Sequence, residues 1–189
     1  MQISEIDPRT AHAAIEAFQI LDVREAFEVE GPLGKLAGAA NLPLHEVAQQ
    51  AGSLDASARW LLVCRSGKRS ESACQILREH GIPDVTNLAG GMIAWNLAAL
   101  PIVRRHSGNL QSLLESATRW LAQVSGATPK QAGERMAIWL REIGASPTAL
   151  SAQALEHLLA HVEQTLREAD PPPDLELTLA AYRRDLAAL

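Results

Sequence analysis

One of the chain's two cysteines sits in the stretch WLLVCRSGKRSES, residues 60–72. An apolar run ends in Cys64, and Gly67 with the cations Arg65, Lys68 and Arg69 follows within five positions. If the run is a strand and a helix begins near Ser70, Cys64 falls just past the strand's C-terminal end, where open α/β sheets bind ligands. Gly67 lets the backbone turn tightly, so successive N–H groups can converge as a nest. The positive end of the following helix adds to that field, and the three cations add full charges. Such surroundings favour thiolate over thiol and a small anion held above the sulfur. A sulfur nucleophile beneath an anion site attacks anionic substrates. The competing reading is a small buried cysteine with solvent-facing arginines. The ordered run of strand, cysteine, glycine, cations and helix favours the chemical one.

The rest of the chain is what must position that loop. Its 189 residues allow one medium domain or a domain plus an annex. The net charge of −5 argues against a general nucleic-acid binder, which needs a basic face. Two cysteines exclude a disulfide framework, and no metal-ligand cluster is evident, so no cofactor is predicted. The opening MQISEIDPRTAHAAIEAF carries acids where a secretory signal carries cations, and no apolar run approaches the ~18 residues of a membrane span. The expected location is the cytoplasm, where thiols stay reduced.

Short apolar runs alternate with helical patterns up to LPIVRRHSGN, residues 100–109, and everything after it reads as helix. The predicted domains are therefore 1–104 and 105–189. In the first, AHAAIEAF predicts a helix, QILDV a buried strand, REAFEVEG a helical turn, and residues 39–42 a strand closed by Pro43. HEVAQQAG predicts a short helix ended by Gly52, RWLLV a strand buried on both faces, and SESACQILREHG a helix stopped by Gly81. DVTNL adds a strand and AGGMIAWNLAAL a turn and helix. Strands alternating with helices predict an α/β fold with a mainly parallel sheet flanked by helices. The second domain parses into four leucine-striped helices, one opened by Thr128, Pro129 and Gln131 as a capping box and the last capped by Asp174. The stripes predict a small all-α bundle, with a dimer seam or partner groove as the alternative.

CRSGKRS resembles the active-site loop of the rhodanese-type sulfurtransferases. The likeness extends over residues 1 to about 103: LDVREAFEVEGPLGKLAGAANLPL resembles the family's Asp-Val-Arg segment and the strand after it, and VTNLAGGMIAWNLAALPI its closing segment. One departure is Lys35, where family members often carry histidine. The resemblance implies a two-step exchange. Cys64 takes the outer sulfur of a donor such as thiosulfate, sulfite leaves, and a thiol or cyanide acceptor removes the sulfur from the persulfide. It implies inward N–H groups over residues 65–70, including Gly67, with Arg65 and Lys68 meeting the donor's sulfonate. Arg69 either joins them or turns inward to Asp22 or Glu71. Ser66 and Ser70 can donate hydroxyl hydrogen bonds, and Ser70 can cap the helix. The helical domain lies outside the resemblance.

Two other functions compete. A phosphatase or arsenate reductase also cradles an oxyanion, but its loop is one residue longer, with arginine six positions after the cysteine; here position 70 is serine. A sulfur-relay or regulatory module docked through the helical domain, by a protein partner or a second copy, would keep the same loop. Cys74 reads as core packing with a resolving thiol as the alternative. His106, His157 and His161 read as solvated, and Trp60, Trp95, Trp120 and Trp139 as core or interface. Arg24 is expected near the loop.

Overall fold

The apolar runs bounded by turns become strands, and every pairing between them is parallel. The computed structural model describes residues 3–103, 109–169, 171–172 and 174–189. Among these, β1 (Ser4–Ile6), β2 (Gln19–Asp22), β3 (Ala40–Asn41), β4 (Trp60–Val63) and β5 (Val85–Leu88) form one sheet in the order β1-β5-β4-β2-β3. Helices α1 (Pro8–Ala13), α2 (Ala26–Val29), α3 (Leu44–Gln50) and α4 (Lys68–Glu79) connect them, and α5 (Gly91–Leu97) follows β5. This is the α/β architecture with a parallel sheet that the alternating pattern predicts.

The strand leading to Cys64 is the central one. All four residues of β4 are buried, as a continuous apolar run in a parallel sheet requires. It pairs with β2 on one side and β5 on the other, with Asp22 opposite Val63 and Leu62 opposite Asn87. The chain leaves β2 toward β3 at one edge, and leaves β4 toward β5 on the other side. Neighbouring loops therefore diverge at the C-terminal ends of β2 and β4, the place where such sheets form a crevice. Leu21, Val23, Leu62 and Cys64 pack with Val47, Ala73, Cys74 and Leu77 from α3 and α4.

Several local expectations are corrected. β1 carries no signal in the sequence; its SEI segment has neither an apolar run nor alternation, and it forms by register with β5 at the sheet's edge. The stretch from Ala11 to Phe18 is not one helix. Asp7 caps α1 by accepting from the Arg9 and Thr10 amides (3.0 and 3.1 Å), and a 3₁₀ turn over Ile15–Ala17 follows separately. α3 likewise gives way to a 3₁₀ turn at Ala51–Ser53.

The chain divides into two compact units, Met1–Arg104 and Arg105–Leu189. Residues 104–108, where the sequence changes character and where His106 lies, are outside the described residues. The second unit contains α6 (Leu110–Ser125), α7 (Pro129–Glu142), α8 (Ala152–Glu168) and α9 (Leu175–Ala187). Its starts follow sequence logic: Asn109 accepts from the Ser112 amide, Thr128 and Gln131 form the reciprocal capping box, and Ser151 accepts from the Ala154 amide. Asp174 departs from this pattern. It precedes α9 but makes no side-chain cap, and instead accepts from the Thr178 hydroxyl at 3.0 Å. The leucine stripes pack on one another around Trp120, Met136 and Tyr182. They are spent on this unit's own core, which leaves those side chains unavailable to a dimer seam.

The close of α5 carries strain. Ala99 adopts φ +55° while the Leu100 amide bonds back to the Trp95 carbonyl. That is the position where helix ends favour glycine, because a Cβ there costs about 1–2 kcal/mol. Ala99→Gly is therefore expected to raise unfolding stability by about 0.5 kcal/mol after glycine's own entropic cost, read from the midpoint of urea denaturation.

Candidate active site

Cys64 follows β4 directly and is fully covered, at 0% exposure. It is not left in purely apolar packing. The Gly67 amide donates to Sγ at 3.1 Å, and the Ser70 hydroxyl lies 3.3 Å from the same sulfur. That hydroxyl also lies 3.1 Å from the Gly67 carbonyl, and its single proton serves one acceptor at a time. Donors aimed at a covered sulfur favour negative charge there.

The turn exists because of glycine. Gly67 has φ +92° and precedes α4, which starts at Lys68, two residues earlier than expected. Ser70 accordingly lies within the first turn and does not cap the helix. Below the loop, α5 opens with Gly90 and Gly91 at φ +68° and +56°. The Met92 amide donates to the Cys64 carbonyl (2.9 Å) and the Ile93 amide to the Arg65 carbonyl (3.0 Å). A Cβ on Gly91 would sit 2.4 Å from the Cys64 oxygen and 2.7 Å from that of Arg65. Because a trans peptide points its C=O and N–H in opposite directions, holding these two carbonyls against α5 turns the Arg65 and Ser66 amides away from it. The paired glycines therefore shape the cysteine loop, a role for which "AGG" gave only the signal of a turn.

The cations divide by task. Arg69 meets neither Asp22 nor Glu71. It makes a two-pronged pair with Glu28, Nη1 to Oε2 at 2.6 Å and Nη2 to Oε1 at 2.7 Å. Hydrogen bonding to the Glu28 carboxylate holds the guanidinium above its ordinary range against the opposing effect of burial. Asp22 is occupied by Arg24, whose Nε and Nη2 donate to its carboxylate at 2.9 and 2.6 Å. Arg24 is 0% exposed and also donates to the carbonyls of Glu28 and Gly34, so it braces the loops and offers no charge to a ligand. Lys68 and Ser66 are exposed and Arg65 is half-buried. Lys35 pairs through its backbone with Val103. Glu28 does not stand out in the sequence, and Gly91 does so only as part of the closing segment of the resemblance; both act through partners more than 25 residues away.

Cys74 lies in the same core cluster, and burial pushes its thiol up to about 12. His161 is half-buried, its ring 5.0 Å from that of half-buried Trp139, while His157 is exposed. Among the described residues, no three of His, Cys, Asp and Glu gather as metal ligands.

The first unit of the chain is similar to known proteins. Residues 7–98 match the family described as rhodanese-like domain. A putative sulfurtransferase, YtwF, from Bacillus subtilis (strain 168) is 35% identical over 98 residues, spanning 50% of this chain and 92% of that protein. The thiosulfate sulfurtransferase GlpE of Shewanella oneidensis is 35% identical over 83 residues, 44% of this chain and 80% of its own. A crystal structure of a rhodanese-related protein from Thermoplasma volcanium superposes with a TM-score of 0.50 at 27% identity, covering 54% of this chain and 99% of that one.

Two outcomes follow from the site's construction. Gly91→Ala should lose at least about 2 kcal/mol of stability, since strain at positive φ adds to overlap with two carbonyls; urea denaturation reads it. In Cys64→Ser the remaining thiol, Cys74, should react with a disulfide reagent at pH 8 roughly three orders of magnitude more slowly than a free cysteine until the protein is unfolded.

Proposed function

The chain belongs to the rhodanese-like domain family, and from that premise we propose that it is a sulfurtransferase that carries sulfane sulfur on Cys64. The observation that carries this reading is the Gly67 amide donating to Sγ, with the Ser70 hydroxyl beside it. In the first half-reaction the Cys64 thiolate attacks the outer sulfur of a donor such as thiosulfate. A new S–S bond forms, the donor's S–S bond breaks, and sulfite leaves with the electron pair. The negative charge passes from the attacking sulfur to the terminal persulfide sulfur, so the loop stabilises an anion before and after the step. In the second half-reaction a thiol or cyanide takes that terminal sulfur and regenerates the thiolate.

The chain's residues fill these roles as follows. The Gly67 amide and Ser70 hydroxyl hold charge on Cys64, as an oxyanion hole holds charge on oxygen. Lys68, exposed at the start of α4, and Arg65 meet the donor's sulfonate, with the amides of residues 65–70 and the Ser66 hydroxyl around it. Since Cys64 is covered, donor entry requires the side chains above the sulfur to part. Thiosulfate as donor is supported by the GlpE relative, a thiosulfate sulfurtransferase. A short loop closing at Ser70 suits one sulfur atom better than a tetrahedral phosphate or arsenate. No helix among the described residues is long and apolar enough to cross a membrane, and we place the protein in the cytoplasm, where Cys64 stays a free thiol.

The test is intact mass after incubation with thiosulfate. The wild type should gain one sulfur atom that cyanide removes, and Cys64→Ser should gain none. Lys68→Gln should raise KM for thiosulfate about three- to tenfold with a smaller effect on kcat, as expected for an exposed charge that binds the donor. Equal mass gain in wild type and Cys64→Ser, or hydrolysis of a phosphate ester in place of sulfur uptake, overturns the assignment.

A further inference from the structure

We propose that Glu28 is a positioning residue for sulfur transfer at Cys64: its carboxylate latches Arg69 and thereby fixes the turn of α4 that supplies the sulfur's hydrogen-bond donors. The proposal rests on the persulfide reading of the loop and extends it to a residue 36 positions away from the cysteine.

The latch is better built than a surface ion pair. Both prongs are short, at 2.6 and 2.7 Å, and the Glu28 side chain is only 6% exposed against 31% for Arg69. Glu28 is itself fixed from two directions. Its Oε2 accepts from the Glu25 amide at 3.1 Å, completing the capping box of α2, and its carbonyl accepts from Arg24 Nη1 at 3.2 Å. Arg24 in turn is bound to Asp22 at the end of β2. A continuous set of bonds thus runs from β2 through Arg24 and Glu28 to Arg69, spanning the crevice between the ends of β2 and β4.

What the latch controls follows from which residues share a turn. Gly67, Arg69 and Ser70 lie at the start of α4, and two of them reach Sγ. Tying Arg69 down fixes the other two. Hydrogen bonds of 3.1 and 3.3 Å are lost if that turn moves by about 1 Å, a displacement that can cost on the order of a hundredfold in rate. The pairing also commits a cation. With its guanidinium closed on a carboxylate, Arg69 is not offered to the donor's sulfonate, a task that the sulfur-transfer reading assigns to Lys68 and Arg65.

The experiment uses the full chain and the variants Glu28→Gln, Arg69→Gln, their combination, Glu28→Asp and Arg69→Lys. Steady-state kinetics with thiosulfate and cyanide, together with hydrogen exchange at the Gly67 amide, read the outcome. Glu28→Gln should lower kcat about ten- to a hundredfold while KM for thiosulfate stays level or falls, because the released guanidinium can now meet the donor. Arg69→Gln should lower kcat similarly, and the double variant should be no worse than the poorer single one. Glu28→Asp and Arg69→Lys, which keep charge and are gentler on folding, should retain an intermediate kcat. Exchange at Gly67 should quicken at least tenfold in Glu28→Gln. A raised KM with unchanged kcat in Arg69→Gln would make that guanidinium a donor ligand and overturn the proposal. So would single losses that multiply in the double variant, or unaltered exchange at Gly67. If the wild type takes no sulfur from thiosulfate while exchange still quickens in Glu28→Gln, the sulfur-transfer reading fails and the latch stands as a structural device only.

Discussion

The cysteine loop depends on one close backbone approach. The first turn of α5 comes so near the Cys64 and Arg65 carbonyls that a single methyl group at Gly91 would overlap both. Gly67, across the gap, is similarly placed: a Cβ there would lie 3.1 Å from the Gly90 nitrogen and 3.3 Å from the Leu88 oxygen. Two helix starts are thus packed back to back, each preceded by a glycine in the left-handed region. The contact settles where the loop's polar groups go. Carbonyls at 64 and 65 are satisfied by the Met92 and Ile93 amides, and planar peptides then turn the accompanying N–H groups the other way. A loop built to hold an anion must dispose of its own carbonyl oxygens, and α5 performs that disposal.

The basic character of the region invites the assumption that every cation is there for a ligand. Two of the most buried are not. Arg24 has its guanidinium distributed over Asp22 and two carbonyls, and Arg69 is closed on Glu28. A buried guanidinium without such partners would carry a desolvation cost of several kcal/mol, so the Asp22 carboxylate is a condition for having Arg24 inside at all. Charge that braces the frame is internally neutralised, and charge near the surface remains for a substrate. Arginine suits the first task because its rigid fork fits a carboxylate two-pronged. Lysine suits the second, as a mobile point charge at the helix start.

How far the sequence disclosed this depends on distance along the chain. The buried strand, its cysteine, the glycine turn and the following helix are contiguous, and local pattern sufficed to place them within a few residues. The helix begins at Lys68 and not near Ser70 because Gly67 takes the boundary position, which periodicity alone cannot locate. β1 escaped notice because three residues with a polar face carry no periodic signal; only β5 makes them a strand. Glu28 escaped for another reason. It sits in an ordinary acidic helical turn, and nothing in residues 25–30 reveals a partner 41 positions later. Arg69 had two other acidic candidates, yet Asp22 is taken by Arg24 and Glu71 is exposed on α4. In the helical unit, leucine stripes and caps were readable because both are local; the Tyr182–Ser116 hydrogen bond that joins α9 to α6 was not.

The two cysteines show why neighbourhood, and not burial, separates a reactive sulfur from a packed one. Both are fully covered and both belong to one apolar cluster. For Cys74, inside α4, removal from water dominates and the thiol is driven up to about 12, with Arg78 offsetting only part of that effect. A sulfur in that state neither attacks a donor nor resolves a persulfide at neutral pH. Cys64 differs in what points at it: an amide freed by the positive φ of Gly67 and a hydroxyl from the first helical turn. The same helix supplies both environments, its N-terminus with donors unspent on helical bonds and its interior with none to spare. Ten residues of separation along one chain therefore place chemically identical side chains in opposite surroundings, and only the first of them has donors aimed at its sulfur.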